Sequence, residues 1–395
     1  MSGSASRNLM TGRYLARNRL VVAAMAAADA IGNFAPRRFS PIPVGKPLRV
    51  LVSDLAHLGD LVALAPVIGR LRSSPRISHV GLLIGSWGRP VAEIADLADE
   101  IHIFDHAFLN RGGEKRFDRH VKTRADARFQ ISEARYDVAI DAYPYLGNAA
   151  GLLWSASVPA RIGFTSGGAG SFYTHRVRFD PAQSLLVNQA RLLEPVLGSQ
   201  ADLRAMLPGF RPDFKIAGEL AEVGPYVVFH IGPGASHKDW PADAWIALGR
   251  SVRKAGYELV FTGGPSERDH GARVRQALGG KDLVGAAGLA GFATALRDAA
   301  GLVTIDTVAG HLAACFETPT VVVYPGIAPP SFWKPAQRFV RLATYPTLCA
   351  PCHLTRGCEA MTCIRDLTAD DAMATLASVI AEKQADQPVL ARSGN

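Results

Sequence analysis

The sequence lacks an apolar run long enough to cross a bilayer, which takes about 20 consecutive apolar residues. Residues 20–28 are apolar, but this run is short, Asp29 interrupts it and no convincing signal-peptidase site follows. Cysteine is scarce outside one cluster, because four of the five cysteines fall between positions 349 and 363. Secreted proteins built on disulfides spread their cysteines along the chain, so the sequence predicts a cytoplasmic protein.

Several nucleotide-binding and nucleic-acid-binding signatures are missing as well. There is no Walker loop, no G-x-G-x-x-G fingerprint, and no stripe of lysines and arginines with interleaved aromatics. Nucleic acid is therefore not an expected partner. The 43 basic and 35 acidic residues still leave a formal charge of +8. That excess favours another anionic partner, such as a nucleotide, a phosphorylated glycan or an anionic membrane surface.

Short apolar runs separated by helical segments predict an α/β fold with open parallel sheets. One series begins near residue 48 and another near residue 226, with a proline- and glycine-rich stretch at 204–225 between them. A chain of 395 residues suits two such domains. The predicted strands are 49–53, 79–84, 100–104, 137–141, 226–230, 258–262, 282–284, 302–305 and 320–324. Ligands of these sheets usually bind at the carboxyl ends of the strands.

The residues before the first strand form an arm with two interpretations. An alanine-rich segment to Ile31 predicts a helix, and a proline-rich stretch at 36–47 follows it. Four basic residues lie at the start of the arm: Arg7, Arg13, Arg17 and Arg19. The functional interpretation is attachment to an anionic leaflet. The structural one is a helix packed on the body of the protein.

Two acids lie in turns that follow predicted strands. Asp60 comes directly after Gly59, where the first strand gives way to a helix, and a carboxylate there can take a proton from a hydroxyl. A helix N-cap is the alternative. Glu267 lies in the glycine turn after strand 258–262, where acids bond ribose hydroxyls in nucleotide-binding folds. Simple surface exposure is its alternative.

The stretch HIGPGASHKDWP, residues 230–241, suits a phosphate. Gly232 and Gly234 would let the backbone approach the anion, and Lys238 would supply a compensating charge. A plain glycine turn with a solvated lysine is the alternative.

The stretch DTVAGHLA, residues 306–313, also follows a predicted strand. Asp306 and Thr307 open the loop, and His311 lies in the helix that comes next. Unpaired N–H groups and the dipole at a helix start would suit a diphosphate. A buried, structural His311 is the alternative.

Taken in order, these segments resemble glycosyltransferase family 9, the lipopolysaccharide heptosyltransferases, from about Arg49 to Asp366. The family's L-G-D is matched by residues 58–60, and its D-x-x-I-D followed by R-I-G is matched at 137–141 and 161–163. Residues 238–241 match K-x-W-P, and residues 306–313 match D-[ST]-G-x-x-H-L-A in part. The resemblance implies the GT-B architecture, two facing Rossmann-like domains with a central cleft.

The resemblance also implies roles. The aspartate matching Asp60 is the family's general base, and the lysine matching Lys238 contacts donor phosphate. The loop from Asp306 through Thr307, Val308, Ala309 and Gly310 to His311 holds the diphosphate. The chain has no D-x-D motif, the usual divalent-metal handle of the other large glycosyltransferase fold, which is consistent with metal-independent, inverting transfer. Val308 stands where the family usually has glycine, and a β-branched residue resists positive φ.

The cysteine cluster reads C-x2-C-x5-C-x4-C, at Cys349, Cys352, Cys358 and Cys363. Four thiolates at this spacing predict one tetrahedral structural ion, zinc or iron, with His353 as a substitute for one sulfur. Relatives that glycosylate autotransporters carry similar cysteines around iron. Four reduced, unliganded thiols are the alternative.

The resemblance therefore implies an α/β GT-B glycosyltransferase that moves a sugar, heptose from ADP-heptose, to a lipopolysaccharide core or related surface glycan. The expected parts are a basic arm at 1–47, an acceptor domain at 48–215, a donor domain at 216–345 and a cysteine-rich segment with a C-terminal helix at 346–395. No cofactor is expected for catalysis. Peripheral contact with the inner face of the cytoplasmic membrane is expected. The alternatives are transfer to an autotransporter protein, a nucleotide-sugar epimerase of the same plan, and a non-catalytic nucleotide-sugar binding protein.

Overall fold

The structure is a computed structural model, and it divides into two compact units between residues 209 and 210. It describes residues 13–16, 18–34, 40–109, 115–198, 214–232, 236–330, 334–335, 337–352, 354 and 357–386. Each unit contains one six-stranded sheet in which every strand pairs in parallel with its neighbours. The predicted α/β class is thereby confirmed.

The strands of the first unit are β1 Leu48–Asp54, β2 Ile77–Ile84, β3 Glu100–Ile103, β4 Val138–Asp141, β5 Ala160–Phe164 and β6 His175–Val177. Its helices are α1 Arg19–Phe34, α2 Leu58–Arg72, α3 Arg89–Ile94, α4 Arg116–Ala134, α5 Ala150–Ser155, α6 Leu185–Arg191 and α7 Glu194–Leu197. Short 3₁₀ turns lie at Ser86–Gly88, Thr165–Gly167 and Gly170–Phe172.

The strands of the second unit are β7 Tyr226–His230, β8 Glu258–Thr262, β9 Lys281–Asp282, β10 Gly301–Ile305, β11 Thr320–Val323 and β12 Val340–Ala343. Its helices are α8 Phe214–Ala221, α9 Ala242–Lys254, α10 Ala272–Leu278, α11 Gly288–Arg297, α12 Val308–Ala314, α13 Thr362–Arg365 and α14 Ala369–Asp386. Further 3₁₀ turns lie at Ser236–Lys238 and Pro265–Glu267.

The two sheets have the same topology. In the first the strand order is β3-β2-β1-β4-β5-β6, and in the second, read from its opposite edge, it is β9-β8-β7-β10-β11-β12. The chain winds outward from the first strand of each unit, then returns to the other side of that strand. The crevice at this reversal, beyond the carboxyl ends of the two central strands, is where doubly wound folds bind ligands. The central pairs are β1 with β4 and β7 with β10.

Central strands are the most apolar because helices cover both faces of the sheet. All of β7 and all of β10 are buried, as is β1 apart from Arg49. In the second unit, Trp240 and Trp245 pack edge to face at 5.2 Å within the core. The indole N–H of Trp240 donates to the carbonyl of Leu367, so the segment before α14 is fastened to the core.

The described part of the N-terminal arm packs on the first unit. Asp29, which is buried, accepts a hydrogen bond of 2.9 Å from the Tyr14 hydroxyl and pairs with Arg13 at 3.3 Å. Met25 is buried too, with its side chain against Gly168. These residues thus form a helix packed on the body of the protein, as the structural interpretation of the arm predicts. Arg7 and Arg17 lie outside the described part. No described helix is both long and apolar enough to cross a membrane.

Candidate active site

Two buried carboxyl groups mark the reversal point of the first sheet. Asp54 ends β1 and Asp141 ends β4, on adjacent strands. Burial is the main reason that the pKa of Asp54 is raised well above its usual range, and the charge of Asp60 raises it further. Burial also raises the pKa of Asp141 to about 6, although hydrogen bonds from the Tyr173 hydroxyl and the Ala149 N–H oppose the shift. The fold therefore makes both carboxyl groups weaker acids than a carboxyl group in water.

Asp60 lies beside this pair, in the first turn of α2. It is not the N-cap, which is His57, and in this respect the alternative of an N-cap was wrong. Its Oδ2 accepts a hydrogen bond of 3.1 Å from the His57 backbone N–H. That bond fixes the carboxylate at the start of the helix, where the helix dipole favours a negative charge. Asp60 is only partly buried, so it can be reached from solvent.

Two tyrosines from the loop after β4 share the electrostatic environment of Asp60. Burial raises the pKa of both Tyr143 and Tyr145, and the charge of Asp60 raises each further. Their rings pack at 5.6 Å between centroids. A carboxylate beside two neutral phenols offers one proton acceptor and two hydroxyl partners, which is a suitable environment for a sugar hydroxyl.

The R-I-G motif has a structural role beside this cluster. A Cβ at Gly163 would overlap the ring of Tyr173, so only glycine lets that ring lie against β5. The Tyr173 hydroxyl then donates a hydrogen bond of 2.8 Å to the Asp141 carboxyl group. Arg161 holds the same segment, because its Nε donates 2.7 Å to the Phe172 carbonyl. The motif thus positions the buried carboxyl group at the reversal point.

In the second sheet, Gly232 and Glu267 come together at the carboxyl ends of β7 and β8. A Cβ at Gly232 would collide with the Glu267 carboxylate, which also accepts 2.8 Å from the Gly264 N–H. Both residues line a small pocket that the side chains of His270, Arg275 and Val284 help to close. Glu267 is therefore anchored next to the glycine loop. Gly234 lies outside the described residues.

His230 ends β7 beside this pocket and was not singled out by sequence reasoning. Burial lowers its pKa to about 4, although the charge of Glu267 opposes the shift, so the imidazole is neutral at neutral pH. Its Nδ1 lies 3.1 Å from the Thr262 hydroxyl, and its ring stacks on Phe292 at 5.0 Å. The only sequence signal was a histidine at the end of an otherwise apolar run.

Lys238, Asp306 and His311 form a second group at the reversal point of this sheet. The Lys238 ammonium lies 2.5 Å from the Asp306 carboxylate, which follows β10. Burial lowers the pKa of His311, the Asp306 charge opposes this and the Lys238 charge adds to it. The sequence placed Lys238 in a separate motif, and the structure brings it to the Asp306 loop.

The turn from Thr307 into α12 has ordinary backbone geometry. Thr307 is the N-cap, and its side chain accepts a hydrogen bond of 3.3 Å from the Ala309 N–H. Val308 begins the helix and is not among the described residues with positive φ, so the departure from glycine there causes no strain. Gly310 lies inside the helix, where a Cβ would press on Val322. Ala309 and Gly310 are buried.

The cysteines gather on one side of the second unit. Burial raises the pKa of Cys363, a hydrogen bond from the Gly326 backbone opposes this, and the charges of Cys352, Cys358 and Cys349 add to it. Their thiols are thus close enough to interact. The Met361 N–H donates 3.4 Å to the Cys358 sulfur. Across the described residues, however, no group of three metal-ligating side chains is arranged to hold one ion. His353 lies outside them.

Comparison with known proteins agrees with this architecture. A model of the family described as Glycosyltransferase family 9 (heptosyltransferase) matches residues 125–360, more than half of the chain. Lipopolysaccharide heptosyltransferase 1 of Pseudomonas aeruginosa is 27% identical over 331 residues, which cover 77% of this chain and 86% of that protein.

Solved structures show the same fold. The glycosyl transferase family 9 protein from Veillonella parvula matches with a TM-score of 0.67 and 19% identity, over 85% of this chain and 98% of that one. E. coli heptosyltransferase WaaC, solved with ADP-2-deoxy-2-fluoro heptose, matches with a TM-score of 0.62 and 19% identity, over 85% of this chain and 100% of that one. The iron-containing dodecameric glycosyltransferase TibC of enterotoxigenic E. coli matches with a TM-score of 0.51 and 14% identity, over 86% of this chain and 77% of that one.

These matches confirm the GT-B fold class and the assignment as a glycosyltransferase, which sets aside the epimerase and the non-catalytic binding protein. The chain belongs to glycosyltransferase family 9, the heptosyltransferase family.

Proposed function

We propose that this protein is an inverting heptosyltransferase that transfers heptose from ADP-heptose to the core of lipopolysaccharide. The observation that carries the proposal is the position of Asp60, at the reversal point of the first sheet and in the electrostatic environment of two half-buried tyrosines. The Pseudomonas relative is named for lipopolysaccharide heptose transfer, and the WaaC structure holds an ADP-heptose analogue. Transfer to an autotransporter protein is the second candidate acceptor reaction.

In the proposed reaction the first unit, from about residue 48, binds the acceptor, and the Asp60 carboxylate takes the proton of the attacking hydroxyl. The acceptor oxygen forms a bond to the anomeric carbon while the bond from that carbon to the diphosphate oxygen breaks. One displacement inverts the anomeric centre, and ADP leaves with the electron pair. Asp54 lies beside the base, and burial raises its pKa, which favours its neutral form there.

The second unit is proposed to bind the donor. Lys238 and the loop from Asp306 to His311 would hold the diphosphate, and Glu267 with Gly232 would hold the nucleoside end. A lysine at the leaving diphosphate stabilises the negative charge that grows there during transfer. Because Lys238 is paired with Asp306, donor phosphate must compete with that carboxylate for the ammonium group. We also propose that the reaction takes place on the cytoplasmic side of the membrane.

Replacement of the base tests the proposal. Asp60→Asn keeps an acceptor for the His57 N–H but removes the basicity, so we expect kcat to fall about 10²–10⁴-fold. Affinity for ADP, measured by calorimetry, should not change. The matched control is Glu93→Gln, an exposed acid of α3, which should keep full activity. Product analysis by mass spectrometry with ADP-heptose and a deacylated lipopolysaccharide core reports transfer. Full activity of Asp60→Asn would sink the assignment.

We also propose that Cys349, Cys352, Cys358 and Cys363 hold one structural metal ion, zinc or iron. The support is their spacing and the interaction of the four thiols, with backbone N–H groups pointed at two of the sulfurs. Metal analysis of purified protein should find one ion per chain, lost in Cys352→Ser and kept in Cys315→Ser, whose cysteine lies elsewhere. The proposal would be contradicted if the purified, folded protein contained no metal and all four thiols reacted with a thiol reagent.

A further inference from the structure

Helix α4 presents large apolar side chains to solvent. Phe117, Val121, Ala125 and Phe129 follow one another at intervals of four residues, so they form a ridge along one side of the helix. Phe129 is 69% exposed, Val121 68% and Phe117 55%. The opposite side of the helix, with Ala127 and Ile131, packs on the first unit. We refer to these four residues as the α4 ridge.

The α4 ridge lies in a basic environment. Residues 115–135 contain seven lysines and arginines against three acids, so this segment supplies four of the eight net positive charges of the chain. Six of the seven basic side chains are exposed. The Arg116 guanidinium lies 5.0 Å from the Phe117 ring centre, so a cation accompanies the first residue of the ridge. Long basic side chains beside apolar ones are typical of helices that lie in a membrane interface.

An exposed tryptophan extends this surface. Trp154, on α5, is 56% exposed, and α5 packs against α4. The Arg128 Nε donates 3.0 Å to the carbonyl of Ser155, which fixes the two helices side by side. Tryptophan prefers the level of the lipid headgroups because its ring is apolar and its N–H is a donor.

Helix α1 packs against the same 3₁₀ turn as Trp154. The Trp154 ring packs on Phe172 at 5.4 Å, and α1 packs against the 3₁₀ turn that contains Phe172. On α1, Leu20 is 80% exposed and Ile31 72%. Asp29, the one acid of α1, is turned inward and bonded, so this helix shows no negative charge.

We propose that the α4 ridge, Trp154 and the outer side of α1 form a docking surface for an anionic phospholipid membrane. Apolar residues enter the boundary between headgroups and acyl chains, and the surrounding lysines and arginines pair with lipid phosphates. The excess positive charge favours an anionic membrane over a second copy of this basic chain, which would repel it. The surface contains neither Asp60 nor Lys238, so the inference does not depend on the proposed function.

Vesicle co-sedimentation of the full chain tests the proposal. Binding to phosphatidylcholine vesicles that contain phosphatidylglycerol should exceed binding to phosphatidylcholine alone, and added salt should weaken it. Phe117→Ser with Phe129→Ser should lower the partition coefficient about tenfold or more, because apolar area is lost from the buried face. Arg119→Gln with Lys122→Gln should lower it about tenfold on anionic vesicles only.

Two matched controls distinguish binding through this surface from nonspecific adsorption to vesicles. Val44→Ser removes another exposed apolar side chain of the first unit, and Arg250→Gln removes an exposed charge of α9; both should bind as the unchanged protein does. All variants should keep the circular dichroism spectrum and the melting temperature of the unchanged protein, which shows that they fold.

Two results would overturn the proposal. One is equal binding to both vesicle types that no ridge variant alters. The other is a dimer, seen by light scattering, that Phe117→Ser with Phe129→Ser converts to a monomer, because the surface would then be covered by a second copy of the chain.

Discussion

Asp141 is a residue whose protonation should be visible in the stability of the protein. Its pKa rises from 3.8 to about 6 on folding, mainly through burial. Between these values the folded state binds more protons than the unfolded state, so the free energy of unfolding falls as the pH rises from about 4 to about 6. Two pKa units correspond to a loss of roughly 3 kcal/mol. Denaturant titrations at several pH values measure this.

The comparison for this prediction is Asp141→Asn, which cannot titrate. The difference in unfolding free energy between the unchanged protein and the variant should shrink steadily over that pH interval. A difference that stays constant from pH 4 to 7 would mean that Asp141 keeps an ordinary pKa in the folded state.

Lys238 yields a second prediction at this scale. Lys238→Met removes the cation proposed to bind the donor phosphates and leaves Asp306 without that partner. A charge-assisted hydrogen bond is worth roughly 1.5–3 kcal/mol, so affinity for ADP should fall about 10- to 100-fold in titration calorimetry. Adding Asp306→Asn should recover part of the loss, because it removes a carboxylate that repels the diphosphate. Lys254→Met, an exposed lysine of α9, is the control. Unchanged affinity in Lys238→Met would remove this residue from the donor site.

At the scale of elements, β5 depends on a glycine. A Cβ at Gly163 must push away the Tyr173 ring, which breaks the hydrogen bond to Asp141. We expect Gly163→Ala to lower the free energy of unfolding by about 1–3 kcal/mol. Gly151→Ala is the matched control, because Gly151 lies in α5 with no atom near its Cβ position. That control should be neutral or stabilising, by up to about 1 kcal/mol. Chemical denaturation of both variants decides, and equal stabilities would contradict the packing argument.

The elements that the sequence predicted well are the central strands. The segments 226–230 and 258–262 match β7 and β8 in full, because strands covered on both faces are continuous apolar runs. The strands that it missed, β5, β6 and β12, are broken by glycine or basic residues. Of these, β6 and β12 are edge strands with partly exposed residues, so no continuous apolar pattern marks them.

The candidate site was only partly predictable, for a different reason. Motifs show which loops follow strands, and so Asp60 and the 306–311 loop were found. Sequence spacing does not show which loops meet. The contact between Lys238 and Asp306 spans 68 positions, and the hydrogen bond from the Tyr173 hydroxyl to Asp141 spans 32. Both depend on strand order, which puts β7 beside β10 and β4 beside β5.

At the scale of the whole molecule, two compact units with separate sheets and separate cores should unfold separately. We expect calorimetry to show two transitions, since two-state behaviour is a property of single domains. ADP at about 100 times its dissociation constant should stabilise by about 2.7 kcal/mol only the transition of the second unit. Hydrogen exchange assigns each transition to its sequence range. A single transition, or ADP protection confined to the first unit, would contradict the division of roles. UDP, GDP, dTDP and CMP serve as comparison ligands.

The repeated strand order has a consequence for how this enzyme can change over time. The same crevice of the same topology is lined by carboxyl groups and tyrosines in one unit and by a lysine–aspartate pair with a histidine in the other. The scaffold thus supports different chemistry in the two units, and a few residues in two or three loops determine what each unit binds. Under the proposed division, the choice of sugar donor and the choice of acceptor are separate modules, free to diverge independently. A hybrid that takes its second unit from a relative with another donor should inherit that donor and keep its own acceptor.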